Sequence, residues 1–204
     1  MQERKLFTVT IFSENTVGIL NLIAIVYTRR CINIESISAS ACSIPGVHKV
    51  TVTSWSDRPS MIKVVNAIEK IIYVVKAFLY TDDEIVYQEI ALYKVPTVRL
   101  VDEPELEKII RRHNARILEI THDYTVLEKT GHNDETEALF EELKAYDITQ
   151  FVRSGRVCIT KDPVEHVTNY LAERDRLRSI QLSGDPSHSP HPFFSEETKE
   201  NTNL

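Results

Sequence analysis

The part of the chain best suited to bind a small molecule is a hexapeptide between a predicted strand and a predicted helix. The N-terminus of a helix offers free backbone N–H groups and a favourable dipole to a carboxylate. A side-chain amide oxygen can accept hydrogen bonds from an ammonium group, and a glycine lets a ligand approach the backbone. The hexapeptide reads Asn15-Thr16-Val17-Gly18-Ile19-Leu20.

These groups together suit a free amino acid with an aliphatic side chain. The apolar wall for that side chain is available from Val17, Ile19, Leu20 or Ile34. Taken alone, the residues leave a second interpretation open, in which the segment is only a helix start whose turn Gly18 eases.

No part of the chain predicts catalysis or a resident metal. The sequence lacks GxGxxG, GxxxxGK[ST] and GxSxG motifs. His122-Asp123 falls between two predicted strands, which favours a hairpin turn. His188 and His191 have HxxH spacing, but a metal would need further ligands and a scaffold.

Bulk properties exclude several classes of protein. The 204 residues carry a formal net charge of -6, so no global basic surface for nucleic acid is expected. No apolar run approaches the roughly 18 residues that span a bilayer. The three cysteines, Cys31, Cys42 and Cys158, form no CxxC pair, and we expect reduced thiols in a cytoplasmic protein.

The hydrophobic pattern predicts an α+β fold of two consecutive ferredoxin-like βαββαβ units. We place the first domain at residues 5–81 and the second at 84–161, followed by a charged helix and a disordered tail in 162–204. Each unit is small, and helices on one face leave the other face of its sheet, or an edge, unprotected. Pairing with a second copy would protect that face or edge, so a homodimer is expected.

At the candidate ligand site the sequence becomes similar to a known family. Glu14-Asn15-x-x-Gly18-x-Leu20, followed by Asn33-Ile34-Glu35-Ser36, resembles the ACT domain of the small, regulatory subunit of acetolactate synthase. Glu89-Ile90-x-Leu92-x-Lys94 and Arg153-Ser154-Gly155 resemble segments of that family's second domain. The likeness runs from about residue 5 to residue 160.

The resemblance implies a non-catalytic subunit that binds a large catalytic subunit and raises its activity. It also implies feedback inhibition by valine or another branched-chain amino acid, bound where two ACT domains of a homodimer meet. Asn15 and Gly18 would hold the polar ends of the effector, with Asn33 and Ile34 contributed by the facing protomer. The cofactors, thiamine diphosphate, Mg²⁺ and FAD, would belong to the catalytic partner and none to this chain.

Two departures from the family pattern bear on this site. Thr16-Val17 stands where members usually have Glu-Ser, and Cys31-Ile32 stands where they often have Gly-Tyr. Because a residue with a Cβ rarely takes the left-handed conformation that ends many helices, we expect the first helix to end differently here.

Two other functions remain open from the sequence. A free-standing ACT-type module could sense amino acids for another partner, such as a transcriptional regulator, although no helix-turn-helix is evident. The ferredoxin-like fold also hosts enzymes, which would require an acid–base or nucleophile set that this sequence lacks.

Overall fold

The computed structural model describes residues 4–163, 167–173 and 176. The first repeat forms an antiparallel sheet of order β2-β3-β1-β4 with two helices. Its elements are β1 (Lys5–Glu14), α1 (Ile19–Thr28), β2 (Ser36–Ala41), β3 (Val47–Ser56), α2 (Arg58–Ile68) and β4 (Val74–Tyr80).

The second repeat has the equivalent sheet order, β6-β7-β5-β8, and an added strand, β9, that pairs with β5. The predicted fold of two ferredoxin-like βαββαβ units is therefore confirmed. The elements of this repeat are β5 (Ile85–Pro96), α3 (Thr97–Asp102), α4 (Pro104–Arg112), β6 (Arg116–Ile120), β7 (Tyr124–Gly131), α5 (Asn133–Leu143), β8 (Gln150–Arg153) and β9 (Val157–Thr160).

Alternation along the strands builds each core. Odd-numbered residues of β1 face the helices of the first repeat, where Ile23 of α1 and Met61 of α2 are fully buried. In the second half of β5, odd-numbered residues such as Tyr93 likewise pack on Leu106 of α4 and Leu139 of α5. The buried residues recur with a period of two in the strands and of 3.6 in the helices, and this pattern determines which face of each sheet the helices pack on.

The opposite face of the first sheet is covered by the second repeat. Register places the side chains of Thr8, Thr10, Thr51 and Thr53 on that face, and all four are buried. The guanidinium of Arg156 lies 3.3 Å from the hydroxyl oxygen of Thr8. The chain therefore covers this face with its own residues, and no second copy is needed there. Protection of a sheet edge by a second copy, and with it the homodimer, stays a prediction.

A short 3-10 turn, Asp82–Glu84, links β4 to β5, and both repeats belong to one compact unit that ends at Pro163. The division into three domains at residues 81–84 and 162 stays a prediction. Residues 167–173 and 176 are helical, within the stretch where a charged helix was predicted. The predicted disordered tail and the His188/His191 pair lie outside the described residues.

Candidate functional site

The turn between β1 and α1 takes a backbone form that requires glycine. Gly18 has φ +86° and ψ −1°, in the left-handed region that residues with a Cβ rarely adopt. A Cβ built on Gly18 would meet no atom within 4 Å, so the constraint is conformational and not spatial. The turn is closed by the Ile19 N–H, which donates to the Thr16 carbonyl oxygen over 3.2 Å.

The start of α1 lacks a side-chain cap among the residues that the structure describes. The first N–H groups of a helix have no partner within the helix. Apart from that of Ile19, which closes the turn, the first N–H groups of α1 are therefore available to an anionic group of a ligand, which the helix dipole also favours.

A cleft of about 220 Å³ lies beside this turn, and we call it the α1 cleft. It is smaller than the 300–1,000 Å³ typical of pockets for drug-sized ligands, so it suits only a small molecule. Its wall consists of Asn15, Thr16, Gly18, Ile19, Leu20, Ala39, His48 and Val50.

The α1 cleft brings together most of the predicted binding hexapeptide but not all of it. Val17 is fully exposed and does not line the cleft. Asn33 and Ile34 also lie outside its wall: the Asn33 amide is 3.5 Å from the Glu35 carboxylate, and Ile34 packs against the first core. Their predicted contribution from a facing protomer stays a prediction.

Three wall residues were missed from the sequence because they come from distant strands. Ala39 of β2 pairs with Val50 of β3, and His48 lies two residues before Val50 on the same face of β3. Alternation in β3 predicts that face, but the sequence does not predict which end of the strand adjoins the turn at Gly18.

The chemistry of the α1 cleft is polar on one side and aliphatic on the other. Asn15, Thr16 and His48 supply hydrogen-bonding groups. Leu20 and Ala39 supply exposed apolar surface, and Ile19 and Val50 lie behind them in the core. Imidazole is the only titratable side chain in the wall. The predicted ligand class, a free amino acid with an aliphatic side chain, stays a prediction.

A larger cleft, of about 750 Å³, lies between the two repeats and includes Glu35, Ser36 and residues 153–156. Its two arginines, Arg153 and Arg156, both pair with Glu89. Buried Arg156 donates to Glu89 over 3.2 Å and to Asp82 over 2.7 Å, and its guanidinium carbon is 3.8 Å from the centre of the Tyr87 ring. Because Arg156 also contacts Thr8 of the first repeat, the network links the two repeats and gives the Arg153-Ser154-Gly155 motif a structural role beside Arg156.

The structure also locates other features that were predicted from the sequence. His122 and Asp123 form the turn between β6 and β7 and are exposed, as predicted. All three cysteines are free, but Cys31 is exposed and not packed in the core. Within residues 4–163, 167–173 and 176, no three His, Cys, Asp or Glu side chains group as a metal site would require. The same part of the chain contains no helix that is both long and apolar enough to cross a bilayer.

Comparison with known proteins gives the family. Residues 88–162 match a family described as the small subunit of acetolactate synthase. The acetolactate synthase small subunit of Bacillus subtilis (strain 168) is 32% identical over 165 residues, covering 78% of this chain and 91% of the relative. The protein of that name from Mycobacterium leprae is 25% identical, covering 76% and 92%.

The fold agrees with this similarity. The crystal structure of the acetolactate synthase small subunit from Thermotoga maritima superposes with a TM-score of 0.71 at 22% identity, covering 78% of this chain and 99% of that one. The chain therefore belongs to the acetolactate synthase small subunit family.

Proposed function

We propose that this chain is the regulatory subunit of acetolactate synthase. It binds the large, thiamine-diphosphate-dependent catalytic subunit, raises the activity of that subunit, and makes it sensitive to valine or another branched-chain amino acid. The observation that carries the proposal is the similarity to a relative named as a small subunit of this enzyme. The two chains are 32% identical, and the match covers 91% of the relative's length. In the proposed complex, thiamine diphosphate, Mg²⁺ and FAD belong to the catalytic partner.

The α1 cleft is the proposed effector site. The Asn15 amide accepts hydrogen bonds from the ammonium group, and the first turn of α1 after Gly18 receives the carboxylate. Leu20, which is exposed in the wall, contacts the aliphatic side chain. One methylene in an apolar pocket changes binding by about 1–3 kcal/mol, so the proposal covers valine, leucine and isoleucine alike.

A homodimer through the ACT domains completes the proposed site, with Asn33 and Ile34 supplied by the facing protomer. The effector acts by linkage: it stabilises one dimer arrangement, and that arrangement is coupled to the state of the catalytic subunit. A coupling of about 1–3 kcal/mol produces changes of about 5- to 150-fold in affinity.

An exposed apolar surface on the second repeat supports the proposal that this chain binds a protein partner. On the face of the second sheet that points away from α4 and α5, Ile90, Leu92 and Val152 are exposed, and register places Leu92 directly opposite Val152. Contiguous exposed apolar side chains typify protein–protein contact sites.

The proposal is tested by reconstitution with the catalytic subunit. The wild-type chain should raise the rate of acetolactate formation, and valine, leucine or isoleucine should lower it again. Asn15→Ala should keep the activation and lose the inhibition, because it removes an acceptor for the effector's ammonium group and no contact with the partner. Asn66→Ala, an exposed amide on α2, is the matched control and should behave as wild type. Full inhibition of the Asn15→Ala complex would contradict the assigned site.

A further inference from the structure

The α1 cleft and the second repeat meet opposite faces of the same strand, β3. His48 and Val50 line the cleft, whereas the ammonium group of Lys49, between them, donates a hydrogen bond to the carbonyl oxygen of Cys158 in β9. Thr51 lies on the same face as Lys49, with its hydroxyl oxygen 4.0 Å from the Cys158 sulfur. Because side chains alternate between faces along a strand, a movement of β3 driven from the cleft also moves the groups that contact β9.

The edge strand β2 makes a second connection of this kind. Ala39 lines the cleft, and the adjoining residues of β2 pack against the loop between β8 and β9. A Cβ built on Gly155 in that loop would lie 3.2 Å from the backbone carbon and oxygen of Ile37 and from the Ser38 Cβ. The loop therefore approaches the backbone of β2 too closely for a side chain to fit without displacement.

We infer that occupancy of the α1 cleft is transmitted to the second repeat through β2 and β3, with Lys49 and Gly155 as positioning residues. The inference rests on the proposed function, because it requires an effector in the cleft. An effector bridging Gly18 on one wall and His48 on the other fixes β3 relative to α1. Lys49 contacts β9 directly, and Gly155 lies in the loop that precedes β9. Through these two residues, the restriction on β3 and β2 changes the position of β9. The coupling is reciprocal, so a change imposed at the loop alters affinity in the cleft.

The forward direction is tested by amide hydrogen exchange of the full chain with and without saturating valine. In the wild type, valine should change the exchange rates of the β9 amides, Val157–Thr160, by about fivefold or more. Lys49→Met keeps the apolar stem but removes the donor. It should still bind valine by calorimetry while losing the change at β9. Lys63→Met, at an exposed position on α2, is the matched control and should keep the wild-type response.

The reverse direction is tested by a substitution in the loop. Gly155 does not have a left-handed backbone, so Gly155→Ala adds only a Cβ that presses on Ile37. It should change the Kd of valine by about fivefold or more. The control is Gly131→Ala, whose Cβ would first meet the carboxylate end of the flexible Glu135 side chain, far from β2 and the cleft in sequence. This control should leave the Kd as in the wild type.

The outcomes separate this inference from the proposed function. If the wild type binds valine but the exchange of residues 157–160 is unchanged, transmission through β9 is overturned and the effector site stands. An unchanged Kd in Gly155→Ala contradicts the reverse coupling in the same way. Absence of saturable valine binding by the wild type overturns both the effector assignment and the inference built on it.

Discussion

At the scale of single residues, Cys31 shows how this chain ends a helix without glycine. The Cys31 N–H donates to the Thr28 carbonyl over 3.0 Å, and the Ile32 N–H donates to that of Tyr27 over 3.2 Å. These two hydrogen bonds form a Schellman motif, with Cys31 at φ +53°. The expectation of a different helix end was wrong, because the Cys side chain is exposed and nothing forces it out of the left-handed form.

Replacing Cys31 by glycine should stabilise the protein. A residue with a Cβ costs about 1–2 kcal/mol in the left-handed region, and the extra freedom of unfolded glycine offsets about 0.5–1 kcal/mol of the relief. Cys31→Gly should therefore raise the free energy of unfolding by about 0.5–1 kcal/mol, measured by urea denaturation. Asn114, at φ +51° after α4, is the control, because asparagine tolerates this conformation and Asn114→Gly should gain less. A loss of stability in Cys31→Gly would refute the explanation.

At the scale of elements, a carboxylate fixes the start of α2. Asp57 accepts hydrogen bonds from the Ser60 N–H over 2.9 Å and from the Ser60 hydroxyl over 2.8 Å. The hydrogen bond from the Ser60 backbone, followed by that from its side chain, lowers the pKa of Asp57 below its ordinary value of 3.8. A lowered pKa in the folded state means that the cap stabilises the protein fully above the ordinary value and is lost as the pH falls through the lowered one.

This cap gives a pH-dependent prediction. Asp57→Asn keeps an N-cap acceptor but removes the titrating group, so its free energy of unfolding should fall less steeply than that of the wild type below pH 3.8. The measurement is urea denaturation of both proteins from neutral to acidic pH. Identical slopes for the two proteins in that acidic window would show that Asp57 does not supply the effect.

The strands and helices also show how much of the fold can be predicted from the sequence. The period of two in 85–95 predicts β5 almost to its ends, since one face of the strand is buried and the other is exposed. The short helix α3 was missed, as it has too few residues to show a period. The pairing of β9 with the first half of β5 was also missed, because it joins residues about 70 positions apart and local patterns carry no such information.

At the scale of the whole molecule, one buried arginine joins the repeats. Only 3% of the Arg156 side chain is exposed, and it contacts Thr8 of the first repeat, Asp82 of the linking turn and Glu89 of β5. Threonines such as Thr8 and Thr51 look like solvent-facing strand positions in the sequence. They are buried because the second repeat covers them, which explains why the sequence predicted an open face.

Removing Arg156 should therefore destabilise the protein strongly. Arg156→Met leaves the Glu89 carboxylate buried with a weakened set of partners, and breaking a buried ion pair on one side costs about 3–5 kcal/mol. The control is Arg111→Met, which breaks an exposed pair with Glu107 of 2.6 Å on α4 and should cost about 0.3–0.5 kcal/mol. Urea denaturation measures both. Equal effects of the two substitutions would contradict the role given to Arg156.

The effector site is tested by calorimetric titration of the full chain with valine, leucine and isoleucine, with Asn15→Ala titrated in parallel. An effector site in the α1 cleft predicts saturable binding of at least one of these amino acids by the wild type. It also predicts a large loss of affinity in the variant. Binding by Asn15→Ala as tight as that of the wild type, or no binding by the wild type, would contradict the assignment of the cleft.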